Sequence, residues 1–362
     1  MKKGGYIMKK VLGVFILALL LLITACSSQA EEKQEYQRYS ANFLDTFDTV
    51  VRVIGYTSSE EEFYEYVEEV YERFQRFHKL YDKFNEYEGI NNLKTINNNA
   101  GIEPVKVDQE IIDIILFSKE WHERTHGKMN IALGSLIEVW DETMTQANKN
   151  PELAKLPSME DLQTASLNGN IDDIIIDQEA STVFLANENM SLDFGAVAKG
   201  YAADIVGNDL KEKGFTSGVI ISGGNWKVLG PPKEQDRDYW IVGIQNPEKP
   251  YAQDETAILE SVMLKNESID TSGDYERFVM IEGLRVHHLI DPETLMPGNY
   301  HRGVTVLAND ASATEYLTTE LFLLPYEQGR ALIDSIDKVE ALWIMNDGTV
   351  KATDGMQSSL QR

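Results

Sequence analysis

Residues 171–204 read IDDIIIDQEASTVFLANENMSLDFGAVAKGYAAD, and the period changes part-way along the run. Asp173 to Leu185 holds two short β-branched and aromatic runs around a polar turn, which is the pattern of a hairpin. SLDF (191–194) reads as a further strand, and a helix starts near Ala196. Strand and helix together in one short run make the class mixed α+β. Upstream, Ala41 to Tyr56 reads as one strand. A helix follows it, capped by Ser58 or Ser59 with Glu61 or Glu62 three residues on, and Phe63, Val67, Val70, Phe74 and Phe77 recur at spacings of three and four. Asp108 caps a second helix through Ile111, Ile112, Ile115 and Trp121. Residues 141–162 are polar and Pro-punctuated, and read as an excursion. Downstream come strands at Ser217–Ile221, Tyr239–Gln245 and Val304–Leu307, helices over Thr314–Leu324 and Tyr326–Ile336, and a hairpin ALWIMNDGTVKA turning at Asn346-Asp347-Gly348.

The chain has 362 residues, 43% hydrophobic and 25% charged, which suffices for one large domain or two closely joined ones. Its 59 acidic and 33 basic side chains give a formal net charge of −26, so phosphate polymers are repelled and nucleic acid is excluded as a partner. The one cysteine excludes an intramolecular disulfide and a cysteine-built metal site.

That cysteine closes an N-terminal pattern. Lys2, Lys3, Lys9 and Lys10 precede an apolar run from Val11 to Ile23, then Thr24-Ala25-Cys26. A basic segment, a short apolar stretch and small residues at its end make an export signal, too short for a comfortable membrane span. Ile-Thr-Ala-Cys resembles a bacterial lipobox, which implies cleavage before Cys26 and a lipid on its thiol; an ordinary signal peptide is the alternative. Met8 also precedes a complete signal. Residues 1–25 are then a signal peptide, and residues 26–40 a lipid-anchored tether. Removing the four lysines takes the net charge to −30. The expected location is the extracytoplasmic face of the cell membrane.

Four stretches carry more glycine and polar residues than packing requires. In LDFGAVAKGYAAD (192–204), Asp193 ends a strand, Gly195 and Gly200 permit close backbone approach, and Lys199 lies early in the helix. Free amides and a lysine there suit an anion, although no Walker or Rossmann fingerprint is present. In ISGGNWKVLGPP (221–232), a buried strand ends at Gly223-Gly224-Asn225, as a ligand-facing turn or a plain one. IDTSGDYER (269–277) reads as a loop whose Thr271, Ser272 and Gly273 could hold a phosphate or a ring carbonyl. In HHLIDPETLMPG (287–298), His288 and Asp291 lie three apart, with an imidazole suited to general-base work; paired surface histidines are the alternative. Glu315 and Thr319 stand four apart on one helix face, a spacing that serves a hard cation such as Mg²⁺ or merely a solvated surface.

These stretches in this order, with FDT (47–49), GINNLKTIN (89–97), THGKMNIALGSL (125–136), WIVGIQNP (240–247) and VTVLANDASATEYLTTELF (304–322), resemble the ApbE family of FAD:protein FMN transferases. The resemblance implies one ApbE-like domain over 41–362, an α+β body with two closely joined halves around a flavin. It places Phe47, Lys128, Met129, Asn130, Asp193, Lys199 and Leu289 at FAD-contacting positions, with Ser272 and Gly273 beside the flavin. His288 matches a catalytic base. Ala196, through its carbonyl, and Thr319 match Mg²⁺ ligands, and Glu315 aligns with a family aspartate that also binds the metal. Asp310 and Thr314 repeat the same spacing. Leu295 replaces a usual glycine, and Asn130 a usual aspartate. The resemblance further implies that FAD and an extracytoplasmic acceptor protein are the substrates. A threonine or serine hydroxyl would take FMN through a phosphoester bond and release AMP. A FAD pyrophosphatase and a non-catalytic flavin-binding lipoprotein are the competing readings.

Overall fold

A turn inside the expected strand 41–56 sets the first edge of the main sheet. Phe47 and Asp48 take positive φ, 53° and 50°, and divide that segment into β1 (Gln37–Thr46) and β2 (Thr49–Thr57). Two successive left-handed residues match a tight hairpin turn. The Phe47 ring packs edge-on against Phe74 and His78, and its N–H donates to His78 Nδ1 at 3.2 Å. The computed structural model describes residues 35–234 and 236–361, so the expected signal peptide, Cys26 and most of the expected tether lie outside the described residues. Backbone contacts divide the chain into residues 1–37 and 38–362, and the elements that position the site belong to the second unit.

Six more strands complete the sheet: β3 (Gly218–Ser222), β4 (Asn225–Gly230), β5 (Ser268–Gly273), β6 (His301–Ala308), β7 (Glu340–Met345) and β8 (Val350–Ala352). Among the described residues, strand order across the sheet follows chain order, and every pairing from β2 onward is antiparallel. Two readings change here. Asn225 does not end a strand: Gly223 and Gly224, at φ 57° and 102°, turn β3 into β4, and Asn225 begins the latter. Thr271, Ser272 and Gly273 are not a loop but the end of β5. Their polar side chains fit there because Thr271 lies opposite Thr305 with the two hydroxyls 2.8 Å apart.

Three helices matter for the site. In α1 (Glu60–Tyr81), the Ser59 side chain accepts from Glu62 N–H, acids fill the first turn, and Phe63, Val70, Phe74 and Phe77 are buried. α2 (Ala198–Glu212) starts two residues later than expected, and SLDF forms no strand; Ser191 only bridges Leu133. In α3 (Ala311–Phe322), Asp310 caps the N-terminus by accepting from Ser312 and Ala313 N–H. The second helix of the sequence reading, Gln109–Arg124, does follow Asp108, but that side chain makes no cap bond and pairs with Arg76 at 3.0 Å.

The supposed excursion at 141–162 is largely helical, Gly134–Lys149 and Met159–Ser166. Its exposed polar faces hide a stripe of Leu136, Trp140, Ala147 and Leu162 that builds a second, smaller core with Ile281, Val286, Ile290 and Leu295. Residues 126–133 and 287–298 run where this core meets the main one. Trp140 Nε1–H donates to the Leu295 carbonyl at 3.0 Å, and Leu295 sits at φ 63°, the strained conformation a glycine would take without penalty.

Candidate active site

α3 is buried along its whole length, yet it carries Thr314, Glu315, Thr318, Thr319 and Glu320. Buried polar groups need partners, and most of these have one. Thr314 and Thr318 donate to the carbonyls of Ala311 and Glu315, each at 2.9 Å. Glu315 accepts from the Lys199 ammonium and from Gly200 N–H. Glu320 accepts from the N–H groups of His126, at 3.0 Å, and Met129, at 2.7 Å. Thr319, 7% exposed, makes no side-chain hydrogen bond among the described residues. Glu315 is therefore no solvated surface acid. At the alternative pair, Asp310 Oδ1 accepts the two cap bonds from Ser312 and Ala313 N–H, and the Thr314 hydroxyl donates to the Ala311 carbonyl.

The crossing of α2 over α3 explains the glycine at 200. A Cβ there would stand 2.4 Å from the Ala311 carbonyl oxygen and 2.9 Å from Glu315 Cβ. Asp204 locks the crossing, accepting from Lys227 Nζ at 2.6 Å and Ala311 N–H at 3.0 Å, while Asn225 Nδ2 donates to the Ala311 carbonyl at 3.1 Å. Lys199 thus reaches Glu315 with its stem beside Gly223, and its ammonium lies 3.4 Å from the Gly195 carbonyl oxygen. Burial alone would lower the lysine pKa, but Glu315 and Asp270 outweigh it and raise it. Asp270 on β5 is itself buried. That burial, reinforced by the negative Glu315 and opposed by Lys199, pushes its carboxyl up to about 7. Thr318 Oγ1 stands 3.4 Å from it.

The two histidines part company. His287 is buried, its Nε2 bonded to the Gly298 carbonyl at 2.9 Å and its Nδ1 accepting from Leu289 N–H at 3.2 Å. Both nitrogens are occupied in fixing the 287–298 loop. His288 is exposed to solvent. Enclosure by the surrounding protein, followed by the positive character of His287, Arg277 and Lys199, moves its pKa below the ordinary range. Solvent contact moderates the enclosure, and the direction is down. Its imidazole is neutral at pH 7 and able to accept a proton. Arg277, not singled out in the sequence, is exposed and makes no ion pair among the described residues, so it adds free positive charge beside His288 and Lys199.

Asp193 lies in a loop, where its carboxylate accepts from Lys83 Nζ and from Gly195 N–H, each at 2.6 Å. Lys83 also holds Asp141 at 2.9 Å. Lys128 is buried, with its ammonium on Asp291 at 2.8 Å and Glu293 at 2.9 Å. Asn130 donates to the Gly169 carbonyl at 2.9 Å and accepts from Ala132 N–H at 2.8 Å. Met129 and Leu289 are buried. The side chains of Lys128 and Asn130 therefore shape the loop, and what that loop can offer a ligand is chiefly backbone. Ser272 and Gly273 end β5 opposite Val304 and Gly303.

The family model for ApbE matches residues 47–343. The chain belongs to the ApbE family. Among its ApbE relatives are proteins named FAD:protein FMN transferase from Klebsiella pneumoniae, 31% identical over 268 residues covering 74% of this chain and 77% of that one, and from Treponema pallidum, 31% identical over 280 residues covering 73% of each. An ApbE crystal structure from Thermotoga maritima superposes with a TM-score of 0.77 at 24% identity, covering 90% of this chain and all 100% of that one. The mixed α+β class is thus the ApbE fold. Of the positions matched to this family, Lys199 and Glu315 are in direct contact across α2 and α3, and Thr319 lies one turn on. Lys83 and Glu320 were missed in the sequence: each sits inside a charged or polar run with no local feature to distinguish it. Their partners lie 110 and up to 194 residues away.

Proposed function

We propose that this protein transfers the FMN portion of FAD to a threonine or serine hydroxyl of an acceptor protein outside the cytoplasm. The observation that carries the reading is an open, neutral imidazole, His288, close enough to the Lys199 charge to feel it. The acceptor hydroxyl gives its proton to His288, and its oxygen attacks the flavin-side phosphorus of FAD. The bond from that phosphorus to the bridging oxygen breaks, and AMP leaves with that oxygen. Such a displacement depends on positioning and charge stabilisation more than on covalent chemistry. Lys199 and Arg277 supply positive charge for the phosphates.

The donor set suits Mg²⁺ in kind: the Glu315 carboxylate, the Thr319 hydroxyl, which makes no side-chain hydrogen bond among the described residues, and the Ala196 carbonyl are hard oxygen ligands. The Lys199 ammonium, set against Glu315 and the Gly195 carbonyl, already stands in for a cation there. Bound Mg²⁺ would neutralise the pyrophosphate. Incubating the mature protein, FAD, Mg²⁺ and a candidate acceptor should add one FMN to the acceptor mass and release AMP, and EDTA should abolish both. Release of AMP without a mass gain would instead establish a pyrophosphatase, and neither product would leave a flavin binder.

The same reading places the protein on the membrane through a lipid at Cys26, supported by Ile-Thr-Ala-Cys after the apolar run. Cys26→Ser should move the protein from the detergent phase to the aqueous phase or leave the signal uncleaved. Unchanged partition with cleavage elsewhere would refute the anchor.

A further inference from the structure

We infer that Glu320 is a positioning residue for FAD, acting with Tyr316 to clasp residue 129 of the flavin-side loop. This rests on the proposed placement of FAD against residues 128–130. Tyr316 and Glu320 are four apart on α3, one residue out of step with Glu315 and Thr319, so the helix presents two neighbouring pairs to two different tasks. The Glu320 oxygens divide the loop between them: one accepts from His126 N–H at 3.0 Å, the other from Met129 N–H at 2.7 Å. Tyr316 O–H donates to the Met129 carbonyl at 2.9 Å, and His122 Nδ1 lies 3.2 Å from the same oxygen. Both backbone groups of Met129 are thereby tied to α3.

The loop between the clasped residues is tightly bent. Gly127 has φ 70°, and a Cβ there would stand 2.8 Å from the His122 ring. The Lys128 side chain is drawn to the other side by Asp291 and Glu293, and the Glu320 carboxylate holds the loop backbone from the α3 side. Tyr316 and Glu320 are each 0% exposed, which leaves no water to replace a lost bond. The helix that carries the candidate cation ligands thus also sets the height of the flavin loop.

Glu320→Gln is the sharp test, because an amide has one acceptor oxygen and would turn a donor toward a donor. Loss of a hydrogen bond to a charged group in a buried site should raise KM for FAD roughly tenfold or more, with kcat at saturating FAD held within a few-fold. Weaker FAD binding by flavin-fluorescence titration, without acceptor present, should follow in parallel. Tyr316→Phe removes one hydroxyl, keeps the ring, and should shift KM the same way by a smaller factor; it keeps the test alive should Glu320→Gln fold poorly. A merely structural role would lower the melting temperature and the active fraction and leave KM where it was. That result, in a wild-type background that binds FAD, would overturn the inference. Failure of the wild type itself to bind FAD would overturn the functional reading on which it rests.

Discussion

His288→Ala should reduce FMN transfer by about 10²–10⁴-fold, the usual worth of a general base, while FAD affinity changes little. The residue acts on the incoming hydroxyl, and its ring is the open one of the pair. His287 has both nitrogens committed to Gly298 and Leu289, so His287→Ala should disturb the 287–298 loop and lower stability instead of removing a proton acceptor. The pH profile separates the two. Enclosure and neighbouring positive charge lower the His288 pKa from the ordinary 6.5. A base must be deprotonated to work, so the acid limb of kcat/KM should lie below pH 6.5, with a plateau through neutrality. His288→Ala should erase that limb along with most of the rate. Turnover equal to wild type, or an acid limb that survives the substitution, would assign the base elsewhere.

The contrast between these histidines shows where sequence reading stops. Spacing and residue type brought out HHLIDPETLMPG as a chemical stretch, but which ring stays exposed depends on Gly298 folding back to occupy His287. The N-terminus of α1 was legible because its signals are local: Ser59, its first-turn acids and an apolar stripe fall within one helix. The helices at 134–149 and 159–166 were not, since their buried positions are few and become a core only against the ribbon at 278–287. Glu315 is the plainest case. On a helix pattern it reads equally as surface or site, and the choice is made by Lys199, which lies 116 residues away in the chain. Likewise, Thr271 looked like loop chemistry until Thr305 appeared opposite it.

Glu315 carries the second large effect. Glu315→Gln keeps the volume and removes the one full negative charge that α3 directs at Lys199, so the Mg²⁺ concentration for half-maximal transfer should rise at least about tenfold, with correspondingly low activity at limiting Mg²⁺. Glu315→Asp keeps the charge and should stay near wild type once Mg²⁺ is supplied. A second consequence follows from the ion pair itself. Removing one partner of a buried pair is costly, but Lys199 retains 24% side-chain exposure and has Asp270 nearby, so Glu315→Gln should still fold, with a lower melting temperature. Lys199→Met makes the opposite probe: it deletes the ammonium that stands in for the cation. It should leave the Mg²⁺ requirement unchanged or lower, while raising KM for FAD through the loss of phosphate-facing charge. Titrating Mg²⁺ against all four proteins at saturating FAD distinguishes the roles of carboxylate and ammonium. Superimposable curves for wild type and Glu315→Gln would remove Glu315 from the cation site. Asp310, whose cap bonds occupy only one of its carboxylate oxygens, would then be the next acid to test.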